Sequence, residues 1–194
     1  GLKDDIHDRK AVTGHIRLAT ADSLCASLLR EDFGAFREQY PCITLKIIAA
    51  GTQEMFRLIN RNEADIILTL DNHIYNTEYV ISKEEKVETH FVAGSSCPLC
   101  QKHSISVQEL IRHPFILTEK MMSYRRLMDE KLAEMSLEVQ PILEIGSTDL
   151  ICSLVEQGVG ISFLPDYVTD QAVKDGRLFY LDVADFKIDV WKQL

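Results

Sequence analysis

The sequence lacks the clustered basic residues and the long apolar runs that are typical of nucleic-acid-binding and membrane proteins. It contains 21 lysines and arginines against 30 aspartates and glutamates, and it has no block of basic residues. Because binding to phosphate groups needs clustered lysines and arginines, the chain by itself is not expected to bind nucleic acid or anionic membranes. No apolar run approaches the roughly 18 to 20 residues of a membrane span. A membrane protein is therefore not predicted.

The first thirteen residues are charged throughout, so they lack the apolar centre of a secretory leader. The chain has five cysteines, an odd number that does not predict a disulfide framework. They are Cys25, Cys42, Cys97, Cys100 and Cys152. Reduced thiols are typical of the cytoplasm, which is the predicted location.

Catalytic and metal-binding motifs are also missing. There is no Gly-x-Ser-x-Gly turn, and the six histidines form no metal-ligand pattern. The pair Cys97 and Cys100 has no second pair to complete a zinc site, and a redox pair normally opens a helix, whereas the nearest capped helix begins at Ser106. Gly158 and Gly160 follow a predicted helix rather than a strand, which is the wrong order for a phosphate loop. No catalytic residue, metal or cofactor is predicted.

What the sequence does contain is an alternation of strands and helices. The strand at 14–20 is followed by a helix from Ser23 to Tyr40, which Pro41 ends. An alternating strand at 43–47, a helix opened by Gly51 and Thr52, and an apolar strand at 66–68 come next. The last of these lacks polar alternation, as expected of a parallel strand covered on both faces.

The second half of the sequence shows the same alternation of strands and helices. Strands are predicted at 91–94, 115–117, 142–145, 160–164 and 178–183. Helices are predicted after Ser106, which forms a capping box with Glu109, after Ser123, after Ser147, and from Pro165. The fold class is therefore α/β, with two units that share crossover strands and leave a cleft between them.

Hydroxyl residues stand at several predicted helix starts: Ser23, Thr52, Ser123 and Ser147. Helix capping explains each of them taken singly. Their position at the same ends of strands in both halves favours a binding role as well, since helix N-termini with free N–H groups would line one sheet edge.

A family resemblance rests on several blocks in order. They are Gly14 to Ala19, Phe36 to Pro41, Leu45 to Gly51, Asn62 to Ile67, Pro98 with Leu99, Leu110 to Ile116 and, most extensively, Leu154 to Pro165. With these blocks, residues 14–191 resemble the effector-binding domain of LysR-type transcriptional regulators. The resemblance implies a type-2 periplasmic-binding-protein fold: two Rossmann-like subdomains joined by two crossover strands, with the effector in the cleft.

The resemblance also implies the organisation of the chain. Residues 1–13 would be the tail of a linker helix, 14–89 and 178–194 subdomain I, and 90–177 subdomain II. The implied function is ligand sensing in a DNA-binding regulator, whose DNA contacts belong to an N-terminal helix-turn-helix that this sequence does not include. An enzyme of dehydratase or transferase type on the same bilobal fold is the alternative. An extracytoplasmic solute receptor is disfavoured by the missing leader and the cysteines.

Carried over residue by residue, the resemblance implies two sets of functional residues. The effector-binding set is Ala21, Ser23, Thr52, Thr118, Gly146, Ser147 and Thr148. The second set, Leu24, Leu28 and Phe36, would lie in a dimer interface formed by the first helix, giving a dimer here and a tetramer at full length.

The expected effector is a small anion. Helix N-termini favour negative charge, and the turns supply hydroxyls but no large aromatic cage. Lys120 and Arg125 would add positive charge. A carboxylate, or an inorganic oxyanion, is therefore the predicted ligand.

Overall fold

The computed structural model describes residues 12–194, so the predicted linker tail lies almost wholly outside the described residues. The chain divides into two compact units. The first unit comprises the described residues up to Leu70 together with Val80–Lys83 and Gln193–Leu194, and the second unit comprises Asp71–Tyr79 and Glu84–Lys192. The subdomain boundaries given above from the resemblance stay a prediction.

Strands and helices alternate along the chain as the sequence predicts. The strands are β1 Gly14–Thr20, β2 Ile43–Ala49, β3 Ile66–Asp71, β4 Glu84–Val87, β5 Thr89–Ala93, β6 Ile116–Leu117, β7 Leu143–Glu144, β8 Ser162–Pro165, β9 Phe179–Tyr180 and β10 Val190–Gln193. The helices are α1 Asp22–Glu31, α2 Phe33–Gln39, α3 Thr52–Asn60, α4 Val107–Leu110, α5 Ser123–Glu134, α6 Thr148–Glu156 and α7 Asp166–Lys174.

The first unit is built on parallel strands. β1 pairs with β2 along its whole length and with β3 on its other side, where Leu18 faces Ile66. Because the pairing with β3 starts only there, Ile66 lies at the end of the strand and is 37% exposed, while Leu70 is fully buried. The strand predicted at 66–68 is confirmed, but its covered part lies further along, towards Asp71.

The long helix predicted from Ser23 to Tyr40 is wrong as a single helix. α1 ends at Glu31 and α2 begins at Phe33, with Asp32 between them at φ −114° and ψ −23°. Aspartate and the nearby Gly34 both have low helix propensity, which explains the interruption. The end of the segment is as predicted, because Tyr40 leaves the helical region just before Pro41.

The second unit combines antiparallel and parallel pairing. β5 lies between β8 and β9, antiparallel to both, while β6 and β7 form a short parallel pair. Its core is rich in aromatic and aliphatic side chains, and Phe115, Tyr124 and Ile151 are among the fully buried ones.

Several helix starts differ by one or two residues from the prediction. α1 is preceded by Ala21 in the N-cap position, so Ser23 is its second residue and not its cap. Thr52 and Ser123 are the first residues of their helices, so they too do not occupy the N-cap position. Pro165 was predicted at the first helical position but precedes α7 as its N-cap residue, because it still belongs to β8.

Candidate functional site

The carboxyl ends of the parallel strands form one candidate surface in the first unit. Thr20 at the end of β1 faces Ala49 of β2 and Leu68 of β3. The turns that follow β1 and β2 therefore bring Ala21, Ser23 and Thr52 to the same sheet edge, as predicted. Ala21 and Ser23 are buried and Thr52 is half-buried.

Two buried threonines at this edge were not predicted. The Thr20 hydroxyl donates to the carbonyl of Leu68 at 3.0 Å, and the Thr69 hydroxyl donates to the carbonyl of Gln193 at 3.3 Å. These bonds tie neighbouring segments together, so the two hydroxyls serve the fold. The only sequence signal for them is a threonine inside an otherwise apolar strand.

In the second unit the parallel pair β6 and β7 gathers the remaining predicted residues. Leu117 faces Glu144, and the Ile145 N–H donates to the Leu117 carbonyl at 3.0 Å. Thr118 therefore lies beside the turn of Gly146, Ser147 and Thr148, which leads into α6. The structure brings these four residues to the same end of the β6–β7 pair, and their part in effector binding stays a prediction.

Two hydroxyls of this cluster have different roles. The Ser147 oxygen accepts from the Leu150 N–H at 3.3 Å and is the N-cap of α6, as predicted. Thr118 is 2% exposed, and its hydroxyl has no hydrogen-bond partner within residues 12–194. A buried hydroxyl without a partner is costly, so a ligand atom that bonded it would gain that energy.

Arg125 supports this cluster rather than pointing at a ligand. Its guanidinium is buried and donates to the Thr118 carbonyl at 2.7 Å, to Asp129 at 2.9 Å and to Glu144 at 3.3 Å. It thereby holds the ends of β6 and β7 at a fixed spacing. Burial raises the pKa of Asp129, although the charge of Arg125 acts in the opposite direction. The predicted use of Arg125 as a ligand cation is therefore replaced by a supporting role.

The neighbouring Arg126 bonds to Asp71 and to Glu130, the latter at 2.9 Å. Burial acts to lower the pKa of Arg126, but its hydrogen bonds to the two carboxylates outweigh burial and raise it. Asp71, the last residue of β3, is buried, and both residues of this pair belong to the second unit. No local pattern in the sequence indicates this pairing between residues 55 positions apart.

The motifs set aside at the sequence level have structural explanations. Pro98–Gln101 is a 3-10 turn, in which the Cys100 thiol donates to the Gly94 carbonyl at 3.3 Å and burial raises its pKa. Gly158 has φ +79° and ends α6. Within residues 12–194 no group of histidines, cysteines and carboxylates is placed to hold a metal ion, and no helix is long and apolar enough to cross a membrane.

The predicted interface residues differ in accessibility. Leu24 is 4% exposed and packs inside the first unit, whereas Leu28 and Phe36 are half-buried. Their neighbours Leu29 and Phe33 are 41% and 36% exposed. The exposed apolar side chains of α1 and α2 are therefore Leu29 and Phe33 and not Leu24.

These features define an α/β binding domain whose candidate ligand contacts are hydroxyl-bearing turns at the ends of parallel strands. The family model for the LysR substrate binding domain matches residues 9–192, and the chain belongs to this family. It is thus a ligand-sensing regulatory domain of the LysR type. The family assignment made from the sequence is confirmed.

Individual relatives agree with this assignment. The chain is 28% identical over 175 residues to the transcriptional activator CmpR of Synechocystis, covering 90% of this chain and 57% of the relative. It is 28% identical over 189 residues to the regulator CbbR of Rhizobium meliloti, covering 96% and 60%. The chain therefore spans about half the length of the curated relatives it matches.

Solved structures show the same fold. The regulatory domain of Synechocystis CcmR in complex with 2-PG has a TM-score of 0.74 at 22% identity, covering 94% of this chain and 88% of that one. The effector-binding domain of QuiR in complex with shikimate has a TM-score of 0.69 at 19% identity, covering 94% and 87%. The predicted α/β class with the type-2 periplasmic-binding-protein fold is confirmed.

Proposed function

We propose that this domain senses a small anionic metabolite through the two sets of strand-end residues. Ala21, Ser23 and Thr52 form the set on the first unit, and Thr118 with Gly146 to Thr148 forms the set on the second. The observation that carries the proposal is the Thr118 hydroxyl, which is buried, has no partner within residues 12–194 and lies beside the N-terminus of α6. A helix N-terminus favours a nearby anion by about 0.3 to 1 kcal/mol.

The similar domains support an anionic ligand. Two of them are known in complexes with 2-PG and with shikimate, and the regulatory domain of Salmonella typhimurium HypT is known with bromide bound. A ligand that binds one arrangement of the domain more tightly than another shifts the balance between them, which is how sensing would proceed.

For the whole protein, we propose a cytoplasmic transcriptional regulator that forms homo-oligomers. Its DNA contacts would come from a helix-turn-helix segment outside this chain, since this chain carries a net charge of −9. The curated relatives are named as transcriptional regulators, which favours a non-catalytic role over the enzyme alternative. Recovery of a bound anion chemically unchanged after incubation supports that role, and its conversion to another compound contradicts it.

Two matched serines provide the test of the binding site. Ser147 and Ser106 are both N-caps of helices in the second unit, accepting at 3.3 and 3.2 Å. Ser147→Ala and Ser106→Ala should each lower the free energy of unfolding by about 1 kcal/mol. Only Ser147→Ala should also weaken the binding of an anion, about fivefold for one lost hydrogen bond of about 1 kcal/mol.

The measurement is calorimetry with 2-PG, shikimate, sulfate and a panel of small carboxylates as probes. A saturable affinity for at least one of these anions that Ser147→Ala weakens and Ser106→Ala preserves is the expected result. Equal affinity in both variants would remove Ser147 from the site. Binding of neutral apolar compounds in place of every anion would contradict the proposed ligand class.

A further inference from the structure

The second unit contains a cavity apart from the predicted effector residues, made by the divergence of a strand. β9 pairs with β5, and the Leu181 N–H still donates to the Phe91 carbonyl at 2.9 Å. The chain then turns away: Ile105 donates to the Asp182 carbonyl at 2.7 Å, and Ala184 donates to the Ile105 carbonyl at 3.0 Å. A cavity of about 500 Å³ is left along the edge of β5. This volume is in the range of small-molecule sites.

The walls of the cavity are aromatic. Phe91, Phe163 and Phe186 form one cluster, with ring centroids of the three pairs 4.8, 5.0 and 5.7 Å apart. His90 and Tyr180 form a second wall, stacked at 4.2 Å with an angle of 19° between the rings. The cavity therefore has rings on two sides, and both walls are held together by ring contacts within the second unit.

Carboxylates surround these rings. Glu88 and Asp182 line the cavity and are exposed. Asp166 does not line the cavity, but it bonds to the His90 ring at 2.7 Å. One lysine, Lys187, also lines the cavity. Aromatic faces carry negative electrostatic potential, so rings and carboxylates together attract a positive charge.

We propose that this cavity is a second ligand site, which takes a small organic cation such as an amine carried on a planar ring. The ring of the ligand packs against the phenylalanine cluster and Tyr180, and its ammonium group pairs with Glu88 and Asp182. This ligand differs in charge from the anion proposed for the first site. Neither Thr118 nor the turn from Gly146 to Thr148 lines the cavity.

Three probes of equal shape and different charge test the proposal: benzylamine, benzyl alcohol and benzoate, titrated into the ¹⁵N-labelled chain. Benzylamine should shift the amides of Thr89 to Phe91 and Tyr180 to Lys187 saturably. Benzyl alcohol should bind at least fivefold more weakly, and benzoate should not bind there. Equal shifts with all three probes, or saturable shifts elsewhere only, would overturn the proposal.

Variants then assign the charge. Glu88→Gln combined with Asp182→Asn should weaken benzylamine binding at least tenfold, and Glu88→Gln alone by a smaller factor. Both side chains are exposed, and asparagine still offers an oxygen to the Ser104 N–H that Asp182 accepts at 3.0 Å. Glu138→Gln, an exposed acid away from the cavity, is the control and should leave the affinity unchanged. Equal affinity in the double variant and the control would contradict the assignment.

Discussion

At the scale of single residues, three buried threonines show the difference between a hydroxyl that supports the fold and one that is available to a ligand. The hydroxyls of Thr20 and Thr69 donate to backbone carbonyls, and that of Thr118 has no partner within the described chain. All three look alike in the sequence, as a threonine at or near the end of an apolar strand. Whether a carbonyl lies within reach depends on the neighbouring segments, which explains why Thr20 and Thr69 were not predicted.

Replacing Thr118 and Thr69 by valine should therefore have opposite effects on the ligand-free domain. Thr118→Val removes a buried hydroxyl that lacks a partner, and we expect the free energy of unfolding to rise by about 1 kcal/mol. Thr69→Val removes a made hydrogen bond and should lower it by about 1 kcal/mol. Urea unfolding monitored by circular dichroism measures both changes.

The same Thr118→Val variant should bind the anionic effector more weakly, so that stability and affinity change in opposite directions. A loss of stability in Thr118→Val equal to that in Thr69→Val would indicate that the Thr118 hydroxyl is already bonded in the ligand-free protein. That result would remove the observation on which the proposed site rests.

At the scale of elements, two helices of the second unit end in the same motif. After α6 the Val159 N–H donates to the Leu154 carbonyl at 3.1 Å, and after α7 the Arg177 N–H donates to the Ala172 carbonyl at 2.8 Å. Each motif places a glycine in the left-handed region, Gly158 at φ +79° and Gly176 at φ +73°. Their surroundings differ: a Cβ on Gly158 would lie 2.5 Å from the Ser96 hydroxyl, and one on Gly176 would meet nothing within 4 Å.

This difference predicts unequal costs for the same substitution. Gly176→Ala should lower the free energy of unfolding by about 1 to 2 kcal/mol, the cost of the left-handed conformation for a residue with a Cβ. Gly158→Ala should cost more, because Ser96 must also move. Thermal unfolding of the two variants measures the difference.

Removing the obstructing hydroxyl is the control for this pair. In a Ser96→Ala background the cost of Gly158→Ala should fall to that of Gly176→Ala. If Gly158→Ala and Gly176→Ala lower the free energy of unfolding equally while Ser96 is present, the close approach of Ser96 does not constrain the end of α6.

At the scale of the whole molecule, the apolar surface of α1 and α2 predicts self-association. Leu29 and Phe33 are 41% and 36% exposed, with the half-buried Leu28 and Phe36 beside them. Phe33 and Phe36 are three residues apart within α2, which places them on one face of that helix. Exposed apolar surfaces of this kind mark interfaces, and the symmetric dimer is the commonest assembly.

We expect a dimer at tens of micromolar in sedimentation velocity. Leu29→Glu combined with Phe33→Glu should give a monomer, since it places charge within this apolar surface. Val80→Glu is the matched control: Val80 is 92% exposed and belongs to neither α1 nor α2, so the dimer should persist. A wild-type chain that is monomeric throughout this range contradicts the predicted interface.

The sequence by itself determined the order and type of most elements, because short-range chemistry fixes them. Alternating and continuous apolar runs define β1, β2 and β3, Pro41 ends α2, Ser106 and Ser147 cap their helices, and Gly158 ends α6. It also determined the family, through blocks spread along the chain. Parallel pairing then follows, and with it the grouping of Thr118 with Gly146 to Thr148.

Only the tertiary structure decided features that depend on residues far apart in the chain. Arg125 is a candidate ligand cation by its position in the sequence, but its burial and its bond to Glu144 of β7, 19 positions away, give it a supporting role. Leu24, which the resemblance places in a dimer interface, is already buried within the single chain. The aromatic cavity arises where Ile105 draws the chain after β9 away from β5. In each case the deciding contact joins separate segments of the chain. No hydrophobic period or local motif in the sequence indicates such a contact.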